Sequence, residues 1–337
     1  MRSVAILGAG SFGTALAVHA ARAEREVVLW ARRPELATEM AAGRLNPDYL
    51  PGVELPARVV PTADLAAVAA CEVVLVAVPS HGFREAVRAL LAVQPAARPA
   101  VLVSATKGIE VETQARMSEV VFEEGMAADR EVRYAVLSGP SFAAEVARQA
   151  PTAVVVASRS PAAAQKAQNL FQSRYFRVYT NADVLGVGLG GALKNVIAIG
   201  AGVGAGLGFG HNAIAAVVTR GLAEITRLGL AMGAERSTFM GLAGLGDLVL
   251  TCTGPLSRNR TVGYRLGQGE SLQRILQGMA GVPEGVETVR AVMELARRHD
   301  VEMPISEEVH AMLSEGRSPR TALENLMSRE PKPEDWS

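Results

Sequence analysis

Cysteine is almost missing from this chain: there are two in 337 residues, Cys71 and Cys252, far apart and in no metal-ligand spacing. That excludes a disulfide framework and a cysteine-built zinc site, and it suits a reducing compartment. Net charge is missing as well, 34 basic side chains balancing 34 acidic ones. No overall field therefore draws the chain to nucleic acid or to an anionic membrane surface, and any anion site must be local. The first residues lead into the apolar run Val4 to Leu7 without the charged leader and long apolar stretch of a secretory signal, so the expected address is the cytoplasm. Between Asn195 and Thr219 there is no Asp, Glu, Lys or Arg. The length would cross a membrane, but the segment is crowded with glycine and interrupted by His211 and Asn212, which favours buried core helices over a span.

With 49% of its residues hydrophobic, a chain of this length can bury the cores of two domains. The first half alternates short apolar runs with stretches of helical spacing, the pattern of a parallel sheet built from βαβ units. Val4 to Leu7, Val27 to Trp30, Val73 to Val78, Val101 to Ser104, Tyr134 to Leu137 and Val154 to Ala157 are the expected strands, with helices such as Thr14 to Ala23 and Arg84 to Val93 between them. Pro47, Pro51, Pro56 and Pro61 make the region from Asn46 to Pro61 read as an ordered loop. Beyond about Asn181 the strand runs stop. Ile214, Val217, Val218, Leu222 and Ile225 make one helical face, and Val286, Val289, Met293 and Ala296 another. The expected fold class is an α/β Rossmann-like N-terminal domain with a mostly parallel sheet, over residues 1–180, followed by an all-α domain over 181–330 and a flexible tail over 331–337.

Gly8-Ala9-Gly10-Ser11-Phe12-Gly13 follows the first strand and opens a helix, the setting that the dinucleotide fingerprint requires. Gly8 would make the tight turn, Gly10 would let the backbone approach a pyrophosphate, and Gly13 would let helix and strand pack closely. An acidic residue at the tip of the second strand, which would bind a ribose 2′-hydroxyl, is lacking. The tip reads Trp30-Ala31-Arg32-Arg33, and a guanidinium there suits a 2′-phosphate, so the cofactor is NADP or NAD with a leaning to NADPH. A pair of solvated surface arginines is the plainer alternative.

Lys107 follows one strand and Gly139-Pro140-Ser141 another, and residues past the carboxyl ends of strands in an open parallel sheet line the ligand crevice. Lys194, within Gly190-Gly191-Ala192-Leu193-Lys194-Asn195, is one lysine in a long uncharged segment, and a buried ammonium is expensive unless paired or catalytic. Asp247 follows Gly244-Leu245-Gly246. Ser257-Arg258-Asn259-Arg260 packs a hydroxyl, two guanidiniums and a carboxamide together, which suits a phosphate, though a polar surface loop is the bland alternative. The glycines from Gly200 to Gly210 imply a close backbone approach, to a ligand or to a neighbouring helix. His19 reads as structural, His81 as a residue that could face the crevice, and His211 has no evident place; none is needed as a catalyst.

The segments GAGSFGTALA, SATKGIE around Lys107, LSGPSFAAEVA around Ser141, GGALKNVIAIGAG around Lys194, and GLAGLGDLVLTCTGPLSRNRTVGYRLGQG around Asp247 and Arg258 come in one order. In these pieces, from the first strand to at least Glu287, the chain resembles the bacterial-type NAD(P)-dependent glycerol-3-phosphate dehydrogenases. Phe12 departs from the tryptophan more usual in that family but keeps an aromatic ring. The resemblance implies reversible reduction of dihydroxyacetone phosphate, supplying glycerol 3-phosphate for phospholipid synthesis. It implies that Ser11, Phe12, Arg32, Lys107, Ala143, Arg258, Val282 and Glu284 touch the cofactor. It also implies that Lys107, Gly139, Ser141, Asp247, Ser257, Arg258 and Asn259 bind a small phosphorylated substrate, and that Lys194 handles the proton. A homodimer is compatible with this reading, and no metal is expected. Two rivals are a β-hydroxyacid dehydrogenase, against which the Ser257–Arg260 cluster speaks, and a non-catalytic NAD(P)H sensor, which would have no use for Lys194.

Overall fold

The computed structural model describes residues 3–95, 101–279, 281, 283–331 and 333–334. The chain separates into two compact units, one of residues 1–106 and 117–184, the other of residues 107–116 and 185–337.

The first unit is built on an eight-stranded sheet. In chain order its strands are β1 (Ser3–Leu7), β2 (Glu26–Trp30), β5 (Val59–Thr62), β6 (Val73–Val76), β7 (Val101–Ser104), β8 (Arg133–Ser138), β9 (Thr152–Ala157) and β10 (Phe176–Asn181), while β3 (Leu45–Asn46) and β4 (Leu50–Glu54) form a separate antiparallel hairpin. The spatial order is β10-β9-β8-β7-β6-β1-β2-β5, parallel throughout except where β9 runs against β8. Val4, Ala5, Ile6 and Leu7 are fully buried, as are Val74, Leu75 and Val76, which is why these central strands are apolar on both faces. From β1 the chain moves one way to β2 and β5 and later the other way to β6, β7 and β8. The carboxyl ends of β1 and β6 are thus the switch point where ligands bind in such sheets.

The proline-rich region is more ordered than a loop. It holds the β3–β4 hairpin and the start of β5, whose Pro61 sits opposite Leu29 of β2. Proline lacks an N–H for the ladder, and β5 tolerates it as an edge strand with one neighbour. Between the strands, the helix Phe83–Val93 buries Phe83, Val87, Leu90 and Leu91, an i, i+4, i+7, i+8 stripe on one face.

The second unit is helical. Its axis is the 23-residue helix Val184–Gly206, of which residues 185–206 fall in this unit. It is long and apolar enough to cross a bilayer, yet 78% of its most apolar window is buried inside the protein. The glycines of its second half are explained by helix packing. Cβ atoms at Gly202 and Gly206 would collide with the backbone at Arg260 and Tyr264, and those at Gly263 and Gly267 with the backbone at Ile199 and Val203. This helix and the helix Arg258–Gly267 therefore cross backbone to backbone. The helix His211–Ala231 buries Val218, Leu222 and Ile225 as its periodicity suggests. In the helix Glu284–Arg298 the apolar face is rotated from the expected one: Val292 and Leu295 join Val289 and Ala296 in the core, while Val286 and Met293 are only half-buried.

Candidate functional site

In the sheet unit the glycine loop divides its work among its glycines. Gly8 has a φ of +124°, and a Cβ there would come within 2.6 Å of the Ala77 carbonyl just past β6, so an L side chain is barred by conformation and by space alike. A Cβ at Gly13 would strike the Gly8 carbonyl, whereas one at Gly10 would meet nothing within 4 Å. Gly10 is thus dispensable for packing and leaves open room beside the N-terminus of the helix Ser11–Arg22. That helix has no side-chain cap and no acid in its first turn, so its positive end is left for an anion. Ser11 Oγ donates to the Tyr49 carbonyl at 2.6 Å, and the half-buried Phe12 packs on the core beneath.

Asn46, fully buried, donates through Nδ2 to the Ala9 carbonyl at 2.9 Å and to Thr14 Oγ1 at 2.8 Å. It clamps the glycine loop from the β3–β4 hairpin, a role invisible in a stretch read as a loop. Arg32 is exposed and, among the described residues, engages no partner, whereas the neighbouring Arg33 is ion-paired with Asp48. Gly139, with φ of +129°, lets the end of β8 pass against Val154 of β9. Ser141 Oγ donates to the Gly139 carbonyl at 2.9 Å, and Ala143 opens the short helix Ala143–Ala147. His19 is structural: its Nε2 is 2.7 Å from the Phe171 carbonyl, and burial lowers its pKa from the ordinary value.

In the helical unit three sequence-predicted residues meet. Asp247, 1% exposed, receives Lys107 Nζ on Oδ2 at 2.8 Å and Lys194 Nζ on Oδ1. Lys194, 5% exposed, also donates to Thr251 Oγ1 at 2.8 Å. Thr251 was not anticipated. The signal was its position four residues after Asp247, one turn along the helix Asp247–Thr253. Loss of hydration lowers the Lys194 ammonium to about 8. Asp247 attracts it and opposes that fall, and the like charge of Lys107 reinforces it. Burial would push the Asp247 carboxyl up, but the two lysines outweigh it and hold Asp247 below the usual carboxylate value. The site is thus a carboxylate spanned by two cations, one deeply buried and the other, Lys107, still 16% exposed along its side chain.

Asp247 is aimed by an irregular segment. A single π-turn, Leu242–Gly246, precedes it, closed by Gly246 N–H donating to the Gly241 carbonyl at 3.1 Å, the i to i+5 bond that marks such turns at functional sites.

The polar cluster has a divided role. Ser257 caps the helix Arg258–Gly267, its Oγ accepting from Arg260 N–H at 3.2 Å. Asn259 Oδ1 accepts from Gly285 N–H at 3.0 Å, leaving its Nδ2 as a donor. Arg258 is exposed, with its Nη1 3.6 Å from where a Cβ on Gly281 would lie. Glu284 is partly exposed as a residue, yet loss of hydration around its carboxyl pushes it up to about 7 against the pull of Arg258, Lys107 and Lys194. Val282 lies outside the described residues.

Against known proteins, residues 3–164 match the family model of the NAD-dependent glycerol-3-phosphate dehydrogenase N-terminus, and residues 183–324 that of its C-terminus. The chain is similar to the glycerol-3-phosphate dehydrogenase [NAD(P)+] of Citrifermentans bemidjiense, 52% identical over 332 residues and 98% of each chain. It is likewise similar to that of Geobacter metallireducens, 52% identical over 336 residues with 98% of each covered. Among solved structures, the glycerol-3-phosphate dehydrogenase of Coxiella burnetii superposes with a TM-score of 0.92 at 39% identity, covering 97% of this chain and 99% of that one. The 3-hydroxyisobutyrate dehydrogenase of Salmonella typhimurium, at 14% identity and a TM-score of 0.51 over 94% of each chain, shares the fold alone.

Proposed function

This chain belongs to the NAD-dependent glycerol-3-phosphate dehydrogenase family, and on that premise we propose that it reduces dihydroxyacetone phosphate to sn-glycerol 3-phosphate, reversibly, as a supply for phospholipid synthesis. The observation that carries the chemistry is the buried Lys194 ammonium held by Asp247 and Thr251.

The residues of the sheet unit fit a dinucleotide. Gly10 leaves open space, the helix behind it offers uncapped N–H groups, and Arg32 is without a partner among the described residues. Gly8, Gly10, Ser11, Phe12 and Gly13 would hold the pyrophosphate region, with Ala143, Arg258 and Glu284 as further contacts. Arg32 would pair with the 2′-phosphate of NADPH. Bound there, the reduced nicotinamide supplies a hydride to the carbonyl carbon.

As the carbonyl double bond opens, its electron pair moves onto the oxygen, and Lys194 gives that oxygen its proton. The product is the alcohol and a neutral amine, which regains its proton from solvent. In the reverse direction the neutral amine takes the hydroxyl proton. Asp247 and Thr251 keep the amine aimed, and Lys107, by repelling it, helps it release the proton. Arg258 and the free Nδ2 of Asn259 suit the phosphate, with Lys107, Gly139, Ser141 and Ser257 as further substrate contacts. Two buried cysteines that form no disulfide among the described residues accord with a cytoplasmic setting.

The test is spectrophotometric: oxidation of NADPH and of NADH with dihydroxyacetone phosphate, beside a panel of keto acids. Turnover with the phosphorylated ketone alone is expected, and turnover with keto acids instead would favour the β-hydroxyacid reading.

A further inference from the structure

The long helix carries Gly190 one turn before Lys194, and the π-turn carries Ala243 four residues before Asp247. These two pairs are in register. A Cβ at Gly190 would lie 2.6 Å from the Ala243 carbonyl oxygen, 3.2 Å from its carbon and 3.5 Å from Gly244 Cα. Four residues further along both segments, Lys194 meets Asp247. The backbone contact at 190 and 243 is therefore the lower rung of a ladder whose upper rung is the ion pair. Within the π-turn itself the chain is tightly wound, since a Cβ at Gly244 would strike the backbone of Phe239 five residues earlier.

We propose that Gly190 is a positioning residue for the reaction: by presenting no side chain it lets the Ala243 carbonyl seat against the helix, and that seating sets how closely the Asp247 carboxylate approaches the Lys194 amine. This deepens the function proposed above and rests on it. The obstacle to a side chain at residue 190 is backbone rather than the tip of a flexible side chain, so even a methyl group moves the π-turn or the helix. Neither group touching the proton is changed, yet the distance between them is.

The consequence has a sign. Asp247 attraction is what raises the Lys194 ammonium against burial and Lys107. Moving the carboxylate away leaves the lowering influences in place. The pH above which the reducing direction fails then moves below the wild-type value.

The experiment compares Gly190→Ala with Gly188→Ala. The second adds the same methyl to the same helix, where a Cβ meets nothing within 4 Å. Displacement by about 1 Å at a reacting group can lower turnover ~10²-fold, so Gly190→Ala is expected to lose kcat on that order. Its alkaline limb should shift to lower pH while NADPH binding and far-UV circular dichroism stay at wild-type values. Gly188→Ala is expected to keep wild-type kcat and pH profile. Wild-type kcat and an unmoved limb in Gly190→Ala would overturn the proposal, as would equal losses in the two variants. Should Gly190→Ala fail to fold, deletion of Leu245, an exposed residue of the π-turn, removes the register by other means. Retained kcat and limb in that deletion would overturn the proposal, and loss of both with NADPH binding kept would support it. Wild-type turnover of dihydroxyacetone phosphate separates the two readings: its absence defeats the proposed function, whereas its presence beside an unaffected Gly190→Ala defeats only the positioning role.

Discussion

Lys194 and Asp247 illustrate how burial and charge divide the work of one site. With the ammonium lowered to about 8, the acid form dominates below that pH and the base form above it. In the proposed role reduction of dihydroxyacetone phosphate needs the acid, so its kcat should fall as pH rises through about 8, while oxidation of glycerol 3-phosphate needs the base and should rise over the same range. Paired pH profiles in the two directions check this, and limbs of the same sign would contradict the role. Cys252 behaves oppositely. Burial raises its thiol to about 12, so it should resist alkylation in the folded protein and react on denaturation, as followed by mass spectrometry. Lys194 was legible in the sequence because a lone cation in an uncharged run needs an explanation. Thr251 was less so, since a threonine within a helix is unremarkable until Asp247 is placed one turn before it. Asn46 was hidden among prolines, where a loop reading looked sufficient.

Among the elements, the helices of the second unit rely on backbone proximity and on one buried carboxylate. Glu224, 1% exposed, accepts from Ile305 N–H at 2.6 Å and from Ser306 N–H and Oγ at 3.2 and 3.0 Å, capping the helix Pro304–Ser314 from a neighbouring helix. Burial pushes its carboxyl up to about 7 despite those bonds. An acid raised in the folded state contributes stability that is full below its unfolded value near 4.5 and is lost as pH rises through about 7. Urea midpoints should therefore decline between those pH values in the wild type, and Glu224→Gln should flatten the decline. An equal slope in the variant would contradict the assignment. The crossing at Gly202 and Gly263 was half legible: the glycines signalled a close approach, but whether to ligand or helix depended on which segment lay opposite, and spacing cannot say. The rotated face of Glu284–Arg298 has a related cause, because Val286 and Met293 fit a helical period as well as Val292 and Leu295 do. The partner helices decide which stripe is buried.

At the scale of the whole molecule, the nucleotide fingerprint and the lysine–carboxylate cluster belong to different compact units. The sheet unit was readable strand by strand because its central strands are buried on both faces. The edge strands β5 and β10 were not, since Pro61 and the polar alternation of Phe176–Asn181 mask them. If Arg32 pairs with the 2′-phosphate as proposed, Arg32→Asp should shift preference from NADPH towards NADH, read as a change in the ratio of kcat/KM values, and unchanged ratios would make Arg32 a surface residue. On the proposed mechanism the reaction depends on the Lys194 amine of the helical unit. The most direct test is kcat of Lys194→Ala with dihydroxyacetone phosphate, measured together with its NADPH dissociation constant. General acids contribute ~10²–10⁴-fold, so a loss of that order with NADPH binding retained is the expected result, and wild-type turnover without that amine would contradict it.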